Sequence, residues 1–154
     1  MSDPTADDRA TAAVAAHLLS QGAMVHRLSA ALTVASVLAL PILALLHPRP
    51  LPALATATLA VVIGLAELWL ALRVAFDARI FEQLARDEAG GGMTTASFDG
   101  AMGALGLMPA DKAGRPTAAR VRGAMGLLRR QATMAVAQLV VIGVSGWILV
   151  VVRG

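Results

Sequence analysis

Three apolar runs, residues 28–46, 51–72 and 132–152, constrain this chain more than any other feature. Each has the roughly 20 residues that a helix needs to cross a bilayer. The first and third contain no Asp, Glu, Lys or Arg, and the second contains one, Glu67. Backbone N–H and C=O groups in lipid must be satisfied within the segment, so all three are predicted to be helices. Between the first two stands His47-Pro48-Arg49-Pro50. Its prolines stop a helix, and so short a link makes an antiparallel hairpin. The run 28–46 is too long for the 7–15 apolar residues of a signal peptide. Asp3, Asp7 and Asp8 precede it, so it reads as a retained anchor. Composition agrees: 57% of residues are hydrophobic and 15% charged, against about 25% charged in a soluble domain. The expected fold class is an all-α membrane protein with three transmembrane helices.

Orientation follows from Lys and Arg in the loops. They crowd the loop 73–130, joined by Arg9 and Arg27 on the N-terminal side, whereas Arg49 and Arg153 stand alone on the other. The N-terminus is therefore predicted inside and the C-terminus outside. Trp69 and Trp147 lie near opposite ends of their spans, as interfacial aromatics do. The pI of 11.0 is not a nucleic-acid signature. Net charge is only +3, and with Lys112 the single lysine and no Tyr or Cys, almost nothing titrates between neutrality and arginine. The Arg-over-Lys, Ala-rich usage reads as that of a GC-rich bacterial genome, and the expected location is a bacterial inner membrane.

Outside the lipid, residues 1–27 are expected to form a helix with Asp3 as N-cap and Pro4 in its first turn, continuous with the first span. Val14, Leu18 and Leu19 give it a weak apolar stripe. The second span is expected to continue as a helix over residues 73–88, with Phe76, Ile80, Phe81 and Leu84 apolar and Glu82–Arg86 an i,i+4 pair. Gly90-Gly91-Gly92 ends it. A short helix capped at Thr95 or Ser97 follows, with Phe98, Met102 and Leu105 on one face. Pro116 begins the last helix, which runs from Thr117 into the third span. The loop 73–130 is thus predicted to be a small helical cytoplasmic cap, too small for an independent catalytic domain.

The polar residues inside the spans form faces. Ala53, Ala57, Ala60, Gly64, Glu67 and Ala71 follow a 4, 3, 4, 3, 4 spacing, a stripe of small residues with one carboxylate. Such stripes let membrane helices approach closely. His26, Ser29, Thr33 and Ser36 share a face at the inner end of the first helix. Gln131, Ala135, Gln138 and Ser145 share one on the third. Thr33, Glu67 and Gln138 are expected to meet on the cytoplasmic side of a three-helix bundle. An intramembrane carboxylate suggests an ion or proton site. The plainer reading is that Glu67 pairs with an interfacial arginine or with Gln138 and fixes helix register, and the apolar outer halves of the spans favour it.

Other chemistries lack their residues. Without cysteine there are no disulfides, thiolate metal sites or thiol nucleophiles. On one continuous helix His17 and His26 face opposite sides, and His47 lies across the membrane, so no metal or haem site is expected. No GxSxG, HExxH or Walker A sequence is present. The expectation is a non-enzymatic membrane protein with no cofactor and no nucleic-acid partner. It acts as an accessory or assembly subunit or scaffold through helix–helix contacts with another membrane protein or with itself. The alternative is a small transporter or channel component using Glu67.

Overall fold

A computed structural model of the chain describes residues 4–46, 51–86, 92–107, 109 and 113–151. Every regular element among them is helical: α1 (Pro4–Ser20), α2 (Gly22–Leu46), α3 (Leu51–Ala85), α4 (Thr95–Ala104) and α5 (Thr117–Val151). Three stretches, Ala6–Leu45, Leu51–Ala85 and Thr117–Val150, are long and apolar enough to cross a membrane. Only 11–22% of their most apolar windows is buried within the chain, so most of that apolar surface faces outward. Asp3, the 47–50 link, Gly90, Gly91 and Arg153 lie outside the described residues.

The chain divides into two compact units. The first comprises α1, α3 from Val74, α4 and the start of α5 to Leu127. α1 packs through Ala12, Ala15 and Leu19. Of its apolar stripe Leu19 is buried, while Val14 and Leu18 are exposed. α3 contributes Val74, Phe81 and Leu84 to the core, while Phe76 turns outward. It ends at Ala85, short of the expected residue 88, with Arg86 Nη2 donating to Glu82 at 2.8 Å. The cap of α4 is Thr94, one residue before the earlier of the two expected, and its hydroxyl accepts from Ser97 N–H at 3.1 Å. At the other end Gly106 adopts φ +67. Its N–H donates to the Gly103 carbonyl and that of Leu107 to Met102, a Schellman closure. Leu105 is left exposed, off the expected Phe98–Met102 face.

One polar contact in this unit has no counterpart in the sequence reading. Arg120 Nη2 donates to Asp99 Oδ1 and Oδ2 at 2.7 and 2.8 Å, and Gly114 N–H donates to Oδ2 at 2.7 Å. The Gly114 amide first, then Arg120, hold the Asp99 carboxyl below its ordinary value of 3.8, against the opposing effect of burial. A carboxylate depressed in the folded state adds stability above its unfolded value, and that contribution is lost as pH falls through the folded value. Thermal midpoints should therefore decline as the pH drops from 5 to below 3. The decline should be shallower in Asp99→Asn; equal slopes would show that the pair contributes nothing.

The second unit comprises α2, α3 up to Arg73 and α5 from Leu128. The helix expected to be continuous from residue 4 into the first span is broken at Gln21. There Gln21 N–H closes back on the Leu18 carbonyl at 3.2 Å, and glycine, a weak helix former, follows at 22. Ser29 and Ser36 of α2 are buried, as are Gln131, Ala135 and Gln138 of α5. The small-residue stripe of α3 is buried along its length. The core is thus built of small and polar side chains, and the large apolar ones, Leu38, Leu65 and Val140 among them, face outward. Trp69 and Trp147 are exposed, and the Arg73 guanidinium lies 4.1 Å from the Trp69 ring centroid.

Candidate functional site

The second unit holds two polar layers between its helices. In the first, Glu67 of α3 is 0% exposed. Its Oε1 accepts from Gln131 Nε2 of α5 at 2.8 Å, and its Oε2 lies 3.1 Å from His26 Nδ1 of α2. An ionised carboxylate only accepts, so in that state the proton of the pair sits on Nδ1. Gln131 Nε2 also donates to the Gly22 carbonyl at 2.9 Å. Glu67 and Gln131 are wholly buried, whereas the His26 side chain keeps a third of its surface exposed.

The second layer centres on Gln138, two helical turns along α5 from Gln131 and also 0% exposed. Its Oε1 accepts from Ser29 Oγ at 2.6 Å. Its Nε2 donates to Thr33 Oγ1 at 2.9 Å and to the Ala60 carbonyl at 3.2 Å. Thr33 Oγ1 in turn donates to the Ser29 carbonyl at 2.8 Å. Gly64 of α3 lies beside this layer, where a Cβ would collide with Thr33 Oγ1 and reach 2.8 Å from Gln138 Nε2. The absence of a side chain is what admits the layer. Further along, Ser36 is buried and the Ser145 and Thr56 hydroxyls are hydrogen-bonded.

The expected trio is therefore divided. Thr33 and Gln138 meet, but among the described residues no hydrogen bond joins Glu67 to either. Glu67 takes His26 and Gln131, not an arginine: Arg27, Arg73, Arg129 and Arg130 at this end of the helices are exposed. Sequence reading placed His26 and Gln131 on the correct faces. It missed their pairing with Glu67 because both fall just outside the apolar runs that defined the spans. It named Ser36 and Ser145 on their faces but missed Thr56, the hydrogen-bond partner of Ser145.

Chemically, the layers supply hydrogen bonds across three helices and one buried carboxylate. No three His, Asp or Glu side chains converge among the described residues. In the first unit, Asp77, Phe81, Phe98 and Arg120 help line a partly open pocket of about 160 Å³, but the Arg120 guanidinium there is already engaged by Asp99. Compared with known proteins, the chain matches no family model, no curated protein and no solved structure.

Proposed function

We propose that this chain is a non-enzymatic accessory or assembly subunit, or scaffold, of the bacterial inner membrane. Its N-terminus is cytoplasmic, the first unit is a cytoplasmic cap, and it works by helix–helix contact with another membrane protein or a second copy. One observation carries the reading. The polar groups of the second unit are turned inward and bonded across all three helices, with Glu67 held by His26 and Gln131. A span hairpin and a third helix clamped in this way form a preassembled block whose outward faces are apolar and open to lipid or to a partner helix. The Ala/Gly stripe is spent inside the chain, so a second copy would have to use another face.

Purification in native nanodiscs from the source host should bring down a stoichiometric membrane partner or a defined homo-oligomer; a partnerless monomer would overturn the reading. For the orientation, a C-terminal alkaline phosphatase fusion should be active, and a stable but inactive fusion would reverse it. A transport role for Glu67 is the second reading. It gains from the buried Ser36 and the Thr56–Ser145 bond, which carry polar groups deeper than the charges alone suggest.

A further inference from the structure

Within the second unit, Val62, Leu65, Trp69 and Leu72 recur at helical spacing along α3, and each is more than half exposed. Arg73 ends this strip and is exposed as well. Its guanidinium lies over the Trp69 ring, 4.1 Å from the centroid. Such a contact engages the face of the cation and leaves its N–H edge to other acceptors. Among the described residues nothing accepts from that edge, whereas Arg86 is bonded to Glu82 and Arg120 to Asp99. Arg27, Arg129 and Arg130 are exposed too, but among the described residues only Arg73 and Arg120 lie over a ring.

Charge and length select the occupant. A cation with an open N–H edge, at the end of an apolar strip, fits a partner that is anionic at one end and apolar along the rest. From Val62 to Arg73 the helix rises about 16 Å. That is close to half of the roughly 30 Å hydrocarbon core of a bilayer. One acyl chain laid along the strip therefore brings its headgroup level with Arg73, at the depth where an indole belongs. A guanidinium meets a phosphate through two parallel N–H···O bonds, and the contact with Trp69 holds it in place beforehand. A choline headgroup carries its own ammonium beside the phosphate and cancels the charge offered to Arg73; an acidic phospholipid keeps that charge. We propose that Trp69 and Arg73, with the strip from Val62 to Leu72, bind one acidic phospholipid, its phosphate on the guanidinium and an acyl chain along α3. The site stands whether or not the chain is an assembly subunit.

The chain has two tryptophans, so Trp147→Phe in the full chain leaves Trp69 as the sole fluorescent reporter. The protein is placed in phosphatidylcholine vesicles containing phosphatidylglycerol, with bromine on the chains of one lipid or the other as quencher. Brominated phosphatidylglycerol should bind beside Trp69 about fivefold more tightly than brominated phosphatidylcholine. Arg73→Gln should bring that preference close to parity, while Arg27→Gln, on another helix, should keep it. No quenching or no preference would overturn the site and leave the strip to a partner helix. Equal losses from the two substitutions would also overturn it, reducing it to the general attraction of a basic surface. If Arg73→Gln does not fold, Trp69 is compared with Trp147, the latter read in Trp69→Phe. A preference at Trp69 and none at Trp147 supports the proposal, and the same preference at both overturns it.

Discussion

Substituting alanine for Gly64 is expected to destabilise the three-span unit by about 2–4 kcal/mol, through overpacking and lost hydrogen bonds. Leucine at the same position should prevent the unit from assembling. The added Cβ would overlap Thr33 Oγ1 and stand 3.0 Å from Thr33 Cβ and 2.8 Å from Gln138 Nε2. None of these atoms can easily withdraw. Thr33 is tied to the Ser29 carbonyl and to Gln138, and Gln138 is tied to Ser29 and Ala60. Relieving the clash therefore means breaking the buried layer or spreading α2 from α3. At roughly 2–4 °C per kcal/mol the thermal midpoint should fall by about 5–15 °C. Gly143→Ala is the matched control, because nothing lies within 4 Å of a Cβ there. It should stay within about 0.5 kcal/mol of the parent. Equal midpoints for the two variants would mean that the close approach at Gly64 is not what holds the helices. Adding Thr33→Ala to Gly64→Ala should recover part of the loss, as expected for a pair coupled by direct contact.

The stripe containing Gly64 was legible because its information is periodic. A 4, 3, 4, 3, 4 run of small residues admits one packed face of a membrane helix, and Ala53, Ala57, Ala60, Gly64 and Ala71 all turn inward. The spans were legible for the same kind of reason, since length and apolarity are local properties. α5 starts at Thr117 as Pro116 implied, and Glu82–Arg86 is a local helical pair. The failures share the opposite character. The break at Gln21 depends on backbone closure at one residue, set in an alanine-rich stretch whose propensity favours continuation. The inward face of α1 is Ala12, Ala15 and Leu19, and no hydropathy pattern distinguishes an alanine packed against a neighbour from one facing out.

The polar contacts divide in the same way. Sequence spacing put His26 with Ser29 and Thr33, and Gln131 with Gln138, because residues on one helix face recur every three or four positions. It had no means of setting the helices' relative heights, and a shift of two turns along α5 exchanges Gln138 for Gln131 as the partner of Glu67. Asp99 and Arg120 are farther apart in sequence than any helical period relates, and their bond depends on the Gly114 turn, whose φ of +70 suits glycine.

Truncating Glu67 to alanine and converting it to glutamine should give very different results, and the difference measures what the carboxylate does. Alanine removes the partner of His26 Nδ1 and leaves Gln131 Nε2 with only the Gly22 carbonyl. It also opens a void at a site with 0% exposure. Breaking a buried pair from one side costs about 3–5 kcal/mol. Glutamine preserves the shape: its oxygen accepts from Gln131, and its amide donates to His26 Nδ1 once the imidazole adopts the other tautomer. Its cost should be about 1 kcal/mol or less. Chemical denaturation in mild detergent, followed by tryptophan fluorescence, would separate the two, since Trp69 lies on the same helix as Glu67. Equal losses for both variants would mean that charge, not the hydrogen-bonded clamp, holds α3 in place. The same glutamine variant then divides the functional readings. An assembly subunit should retain its co-purifying partner in full, because the block of three helices survives. A transporter should lose ion flux in proteoliposomes at unchanged stability, because glutamine keeps the contacts and removes the only charge in the second span.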